Sequence, residues 1–338
     1  MRSRLHFVRL AGFVLIFSGT AQIARPQAAQ DGGDFSTNSA AKKLPTDVIM
    51  VKGAWASASD AVTPLPEGGV LADGRYTNKY FRLAYTLPRD WMQKYSGPPP
   101  SDSGYYVLGQ FRPADTSKGA SQGTILVAAQ DLFFALTPAA NAFELIHEST
   151  QNLMADYKAE RAPTPVSIAG HSFVRFDYFS PAAELHWYVL TTEIRCHAVK
   201  FVFTGHDSRW MESLIEEMNR MQLPAEASPI SGNGGEDVPV CIKDYARENL
   251  LEKVDPVFTE RRFNPIPVRI IVGKDGKVKH IHFLSAFPDQ GKSITDALWQ
   301  WRFKPYSREG QPVEVETGML FGRAPRMVNT ATARLTSQ

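Results

Sequence analysis

Apolar and polar positions alternate along much of the chain, and the period of that alternation divides it into elements. Arg82 to Leu87, Tyr105 to Phe111, Thr124 to Ala129, Ser172 to Tyr178, Leu185 to Ile194 and His197 to Gly205 repeat every two residues, as strands with one inward face do. Val166-Ser167-Ile168 predicts a further short strand, turning through Gly170-His171. Two stretches predict helices. Pro138 to Ala159 takes its apolar face from Phe143, Ile146, Leu153 and Met154, and Ser208 to Met221 turns Leu214, Ile215 and Met218 inward. Runs of strands broken by helices, without strict βαβα alternation, argue an α+β fold built on an antiparallel sheet.

The pattern starts again after residue 237. Val268 to Val272 is a strand, Lys274-Asp275-Gly276-Lys277 a hairpin turn of the Asp-Gly type, and Val278 to Ser285 the returning strand. Ser293 with Asp296 three residues on predicts a helix N-cap, and Ile294, Ala297, Leu298 and Trp301 fall on one helical face. Val313 to Phe321 alternates as a last strand. Val313, Val315, Thr317 and Met319 share the face that covers the helix, and Glu314 and Glu316 turn toward water.

Three pieces of this second region carry a resemblance. They are the Asp-Gly-Lys-Val hairpin, Ala297-Leu298-x-x-Trp301-Arg302-Phe303-x-Pro305 at the helix exit, and Gly310-x-Pro312-Val313-x-Val315 at the last strand. Residues 240–323 resemble the C-terminal domain of the TonB energy-transducer family. Two features depart from that family: Phe258-Thr259 stands where it has Tyr-Pro, and Asn264-Pro265-Ile266-Pro267 replaces its glycine before the first strand. The resemblance implies a small αββαβ domain that binds short extended peptides by adding a strand to its sheet edge. On this chain that edge is Val313, Glu314, Val315, Glu316, Thr317, Met319 and Phe321. Upstream, Tyr76-x-Asn78-x-x-Phe81 and Leu87-Pro88-x-x-Trp91 resemble the opening of the PsbP-like α/β/α sandwich, which implies that fold for residues 71–223.

The whole is therefore read as α+β with two domains, a PsbP-like antiparallel-sheet sandwich (71–223) and a TonB-like domain (238–323). They are joined by a Pro/Ser/Gly linker at 224–237. Residues 22–70, rich in Ala, Gly, Ser and Pro, read as a disordered tether in which 47–51 and Trp55 are a possible strand or docking segment. Residues 324–338 read as a disordered tail. Arg2, Arg4 and Arg9 precede the apolar run Leu10 to Phe17, and Gly19 and Ala21 are small, so 1–21 reads as a secretory signal. An uncleaved inner-membrane anchor is the alternative, and its apolar window is short for a span.

Composition changes this picture only slightly. The 338 residues carry a net charge of +2, which gives no basic face for nucleic acid. The chain has two cysteines, Cys196 and Cys241, one in each expected domain, and in an oxidising compartment they are a candidate disulfide.

Candidate chemistry is sparse. Ala286 to Ser293 fits a permissive phosphate loop, but Pro288 removes an amide donor, the preceding strand belongs to a hairpin, and no nucleotide is expected. His280 and His282 share a strand face as a metal pair without a third ligand nearby, so a solvated face is the plainer reading. His147-Glu148 lacks the second histidine of a zinc-protease helix. His186, His197 and His206 lie in or beside strands without a ligating spacing. Tyr105, Tyr106, Phe133 and Phe134 line either a pocket or the core.

The function expected is non-enzymatic docking in the envelope. The partners are a peptide of an envelope or outer-membrane protein, or a second copy of the chain, with no cofactor. Two alternatives stay open: an anchored TonB-type transducer, and a ligand-binding or hydrolytic activity in the first domain.

Overall fold

In this computed structural model, residues 48–50, 58–60, 66–95, 97, 101, 103–115, 123–135, 139, 141–224, 239–257, 266–286 and 288–322 are described. The residues read from the sequence as a leader, most of those read as a linker and those read as a tail lie outside them. In chain order the elements are β1 (Val48–Met50), β2 (Ala58–Asp60), β3 (Val70–Ala72), β4 (Arg75–Asn78), β5 (Leu83–Thr86), β6 (Trp91–Tyr95), β7 (Tyr105–Pro113) and β8 (Thr124–Asp131). Then come α1 (Ala142–Gln151), β9 (Lys158–Ile168), β10 (His171–Ser180), β11 (Leu185–Ile194), β12 (His197–Gly205) and α2 (Ser208–Glu217), which ends in a 3-10 turn at Met218–Arg220. The second half holds β13 (Val240–Cys241), α3 (Tyr245–Glu248), β14 (Leu250–Glu252), β15 (Ile266–Val272), β16 (Val278–Phe283), α4 (Pro288–Leu298), β17 (Arg302–Phe303), β18 (Ser307–Arg308), β19 (Gln311–Pro312) and β20 (Val315–Phe321). The fold is α+β, with mostly antiparallel sheets and few helices.

Seven strands form the first sheet in the order β6-β7-β8-β12-β11-β10-β9, all antiparallel. One face packs under α2 and the small β3-β4-β5 sheet, through Tyr76, Tyr85, Phe111, Phe201, Phe203, Met211 and Leu214. Asp207 caps α2, accepting from the amides of Arg209 (2.9 Å) and Trp210 (3.2 Å). The opposite face carries α1, where Ala142 and Leu145 meet Leu132 and Ala198.

The helix expected over Pro138 to Ala159 is shorter. It runs from Ala142 to Gln151 and buries Ala142 and Ile146, while Phe143 (43%) and Met154 (48%) are exposed. Lys158 onward is strand β9, because the edge of β10 offers a ladder and tertiary pairing outweighs a helical period.

The second sheet runs β1-β2-β16-β15-β20-β13. Its helix-side face is the second core: Val268, Ile270, Ile281, Phe283, Ile294, Leu298, Trp301, Val315 and Phe321. The expected order of strand, hairpin, strand, helix, strand is present, with three local differences. At the hairpin only Gly276 takes a positive φ (78°), so the turn is not type I′. A register shift between Ile271 and Val272 supplies a bulge instead. Helix α4 starts at Pro288, since the first helical position has no use for the missing N–H. Ser293 is therefore inside the helix rather than its cap, and its hydroxyl donates to the Val257 carbonyl at 2.5 Å. Finally, residues read as tether form β1 and β2. β2 pairs with β16 at His282 and Phe283, where an unpaired edge would otherwise face outward.

Candidate functional site

β20, the strand expected to be the docking edge, is flanked on both sides. β15 pairs along its whole length, Ile266 opposite Phe321 through Val272 opposite Val315. On the other side the short β13 lies parallel, with Val240 opposite Val315 and Cys241 opposite Glu316. Val240 N–H donates to the Glu314 carbonyl (2.8 Å) and Ile242 N–H to the Glu316 carbonyl (3.0 Å). The Thr317 hydroxyl donates to the Lys243 carbonyl at 3.2 Å. Beyond it the flanking chain turns into α3, which stays close to β20 without forming a ladder. Among the described residues no strand lies against 317–321 on the side away from β15. The edge is thus half closed by the chain itself.

Parity tells which backbone groups face that open side. Glu314 and Glu316 direct their carbonyls toward β13, so Gly318 and Leu320 direct theirs the same way. Leu320 lies opposite Pro267, which has no N–H to give, in keeping with a pair that exchanges no hydrogen bonds. Val313 precedes the strand, its amide bonded to the Tyr306 carbonyl at 3.1 Å. Val315 and Phe321 are in the helix-side core and Met319 packs against it. Glu314 pairs with Lys279 at 2.7 Å.

Glu316 does not face water. It is 3% exposed, because the non-helix face of the second sheet packs on the first. Its carboxylate meets Arg269 of β15 (3.1 Å) and Arg195 of the β11–β12 turn (3.1 Å), and accepts from the Tyr80 hydroxyl (2.8 Å). Arg269 also donates to Asp131 at the end of β8 (2.6 Å) and to the Arg195 carbonyl (3.0 Å). Two guanidiniums and two carboxylates therefore balance, which is the condition for keeping such groups out of water. Each cation also lies over a ring, Arg195 over Tyr80 (4.0 Å) and Arg269 over Phe133 (4.4 Å). Gly318 makes room for that ring, since a Cβ there would sit 2.8 Å from the Phe133 Cβ.

The protonation states follow from burial and neighbours. Burial would raise Glu316, but Arg269, Arg195 and the Tyr80 hydroxyl hold its carboxyl below the usual range. Burial lifts Asp131 in spite of Arg269, and it lifts Tyr80, which stays a phenol and donates. His197, wholly buried, is pushed far down by burial and then by Arg269, so it is neutral. Its Nδ1–H donates to the Arg195 carbonyl at 2.7 Å.

Cys196 and Cys241 form a disulfide with Cα atoms 5.9 Å apart. It ties the covering strand β13 to the first sheet beside Arg195. Sequence reasoning missed Asp131, Arg195, Arg269 and Tyr80. The one available signal was Arg269 inside an otherwise apolar strand, where a solvated position would break no pattern but a buried one demands partners.

The remaining candidates separate. Most of the loop-like run Ala286 to Ser293 is helix α4. His282 is buried in the inter-sheet face rather than solvated, for the same reason as Glu316. His186 pairs with Glu160 (2.7 Å), and His206 meets the Glu184 carbonyl (2.7 Å). Among the described residues no group of His, Cys, Asp and Glu could hold a metal ion, and no helix is long and apolar enough to cross a membrane. Tyr106 and Phe134 belong to the first core, and Phe133 packs against it.

No family model and no curated protein matches the chain. Among solved structures, that of cyanobacterial PsbP (CyanoP) from Synechocystis sp. PCC 6803 is similar with a TM-score of 0.31 and 16% identity, over 44% of this chain and 91% of that one. LpqN, described as involved in cell envelope biogenesis of Mycobacterium tuberculosis, is similar with a TM-score of 0.26 and 11% identity, over 42% of this chain and 83% of that one. At these scores neither likeness carries weight on what the chain does.

Proposed function

We propose that this chain is an exported, non-enzymatic envelope protein that docks an extended peptide of a partner protein by strand addition at the unpaired half of β20. The observation that carries the reading is the row at Gly318 and Leu320, unpaired among the described residues and beginning where β13 ends. Unpaired amides and carbonyls at a sheet edge recruit another strand. Leu320, 51% exposed, adds an apolar contact beside that row. The same sheet already accepts a strand from a distant stretch of chain, since β2 adds to β16. The TonB-like residue pattern over 240–323 supports peptide docking, and the leader-like start and the disulfide support export.

The test uses the full chain and a panel of extended peptides from envelope proteins. Saturable binding should slow hydrogen exchange at the Gly318 and Leu320 amides. Leu320→Pro removes a donor from the open side only and should abolish binding with little change in melting temperature. Unchanged exchange over 317–321 with every peptide, or wild-type binding by L320P, would overturn the proposal.

A further inference from the structure

The face of the first sheet that carries α1 holds polar groups that the docking edge does not use. On β12, Lys200 lies between Thr191 of β11 and Ala128 of β8 in register. Cross-strand partners point to one face, so these three side chains are neighbours. On β7, Val107 lies opposite Ala128 and Tyr105 opposite Gln130, on that same face. At the far side Tyr178 of β10 stacks on Trp187 of β11, with ring centroids 5.3 Å apart. Tyr157 closes edge-on against both, at 5.7 and 5.4 Å.

Burial first, and then the Tyr157 and Tyr105 phenols, push the Tyr178 hydroxyl up. Burial pushes Tyr105 itself up to about 12.

The polar groups of this face are unanswered. Thr191 is fully buried, and among the described residues its hydroxyl has no hydrogen-bond partner. Lys200 has no acidic partner among them, and burial alone lowers it to about 8. Glu193, on the same face, accepts a hydrogen bond from the Ala142 backbone, at the start of α1. Lys200 is only partly covered, as are Val107, Leu126, Val202 and Trp187 around it, so the site is open to an incoming molecule. An ammonium taken from water without a counter-charge is held at a cost that a bound anion removes.

We infer that this face binds a small organic monoanion, its carboxylate at Lys200 and Thr191 and its apolar body between Leu126, Val202 and the Trp187–Tyr178 wall. One cation matches one negative charge, and apolar and aromatic walls match a hydrocarbon body. Octanoate and 1-octanol are the probes, titrated calorimetrically into the full chain at pH 9 in buffers of different ionisation enthalpy. Lys200 is then mostly neutral, so octanoate binding should take up close to one proton as the ammonium forms. Lys200→Met should remove that uptake and weaken octanoate by about tenfold or more, the loss of one charged hydrogen bond. 1-Octanol should bind far more weakly than octanoate. Thr191→Val, a smaller change, should weaken octanoate a few fold if K200M fails to fold. No saturable octanoate binding, equal binding of the alcohol, or full affinity in K200M would each overturn the site. Peptide docking at β20 is independent of every one of these outcomes.

Discussion

Two cationic regions of this molecule follow opposite rules. Arg269 and Arg195, between the sheets, meet Asp131 and Glu316 at 2.6–3.1 Å, the Tyr80 hydroxyl donates to Glu316, and the Tyr80 and Arg195 backbone carbonyls accept further guanidinium donors. Lys200, on the opposite face of the first sheet, has Thr191 and Ala128 as ladder neighbours and no acid to answer it among the described residues. The first region is closed and holds two sheets in one arrangement. The second is unfinished, and in a folded protein an unfinished polar group points to something that completes it. Burial alone does not distinguish a structural charge from a binding charge, but the completeness of its partners does.

The contrast can be broken first at its strong end. Arg269→Met leaves Asp131 buried without its cation and should lower unfolding free energy by about 4–5 kcal/mol in denaturant titrations. A neutral or stabilising result would mean that the inter-sheet cluster is no more complete than the Lys200 site. Replacing Cys196 and Cys241 by Ser releases a loop closed over a sequence separation of 45, and should lower stability by about 3–4 kcal/mol. Two free thiols in the wild-type protein, read by non-reducing mass measurement, would remove that tie.

Acidity sharpens the comparison further. Glu316 sits below its ordinary 4.5, so its contribution is full above pH 4.5 and is lost as pH falls through the lower folded value. The difference between wild type and Glu316→Gln should shrink over that acid range, whereas Asp131, Tyr80 and His197 are common to both proteins. A difference independent of pH would mean that Glu316 is not held ionised by its arginines. The smallest effect belongs to Lys200. K200M should be as stable as wild type, or more so by about 1 kcal/mol, because it removes an unpaired buried ammonium. Wild type should gain on K200M as pH rises from about 8 to 10.5, where the unfolded lysine keeps its proton and the folded one does not. A large loss in K200M at neutral pH would place Lys200 with Arg269, as part of the framework.

The strands were the most readable part. Leu185–Ile194 and His197–Gly205 match the alternation residue for residue, since each has one face on the first core. The Ala142–Gln151 helix was overextended because Leu153 and Met154 keep a helical spacing after Asn152 has ended the helix. At the candidate site the face of Val315, Met319 and Phe321 was legible and the environment of the other face was not. Alternation says that Glu316 points away from the core of its own sheet. It cannot say whether water or another sheet lies there.

Local sequence alone determined where strands alternate, where Gly276 permits a turn, and which face of β20 meets α4, because those properties depend on residues a few positions apart. Tertiary structure decided that residues 58–60 would edge β16, that Val240–Ile242 would cover only half of β20, and that Asp131, Arg195, Arg269 and Glu316 would meet. Those contacts join positions up to 225 residues apart, as from Ala58 to Phe283. A charged side chain's surroundings are set by which distant surface packs over it, and no periodicity along the chain encodes that.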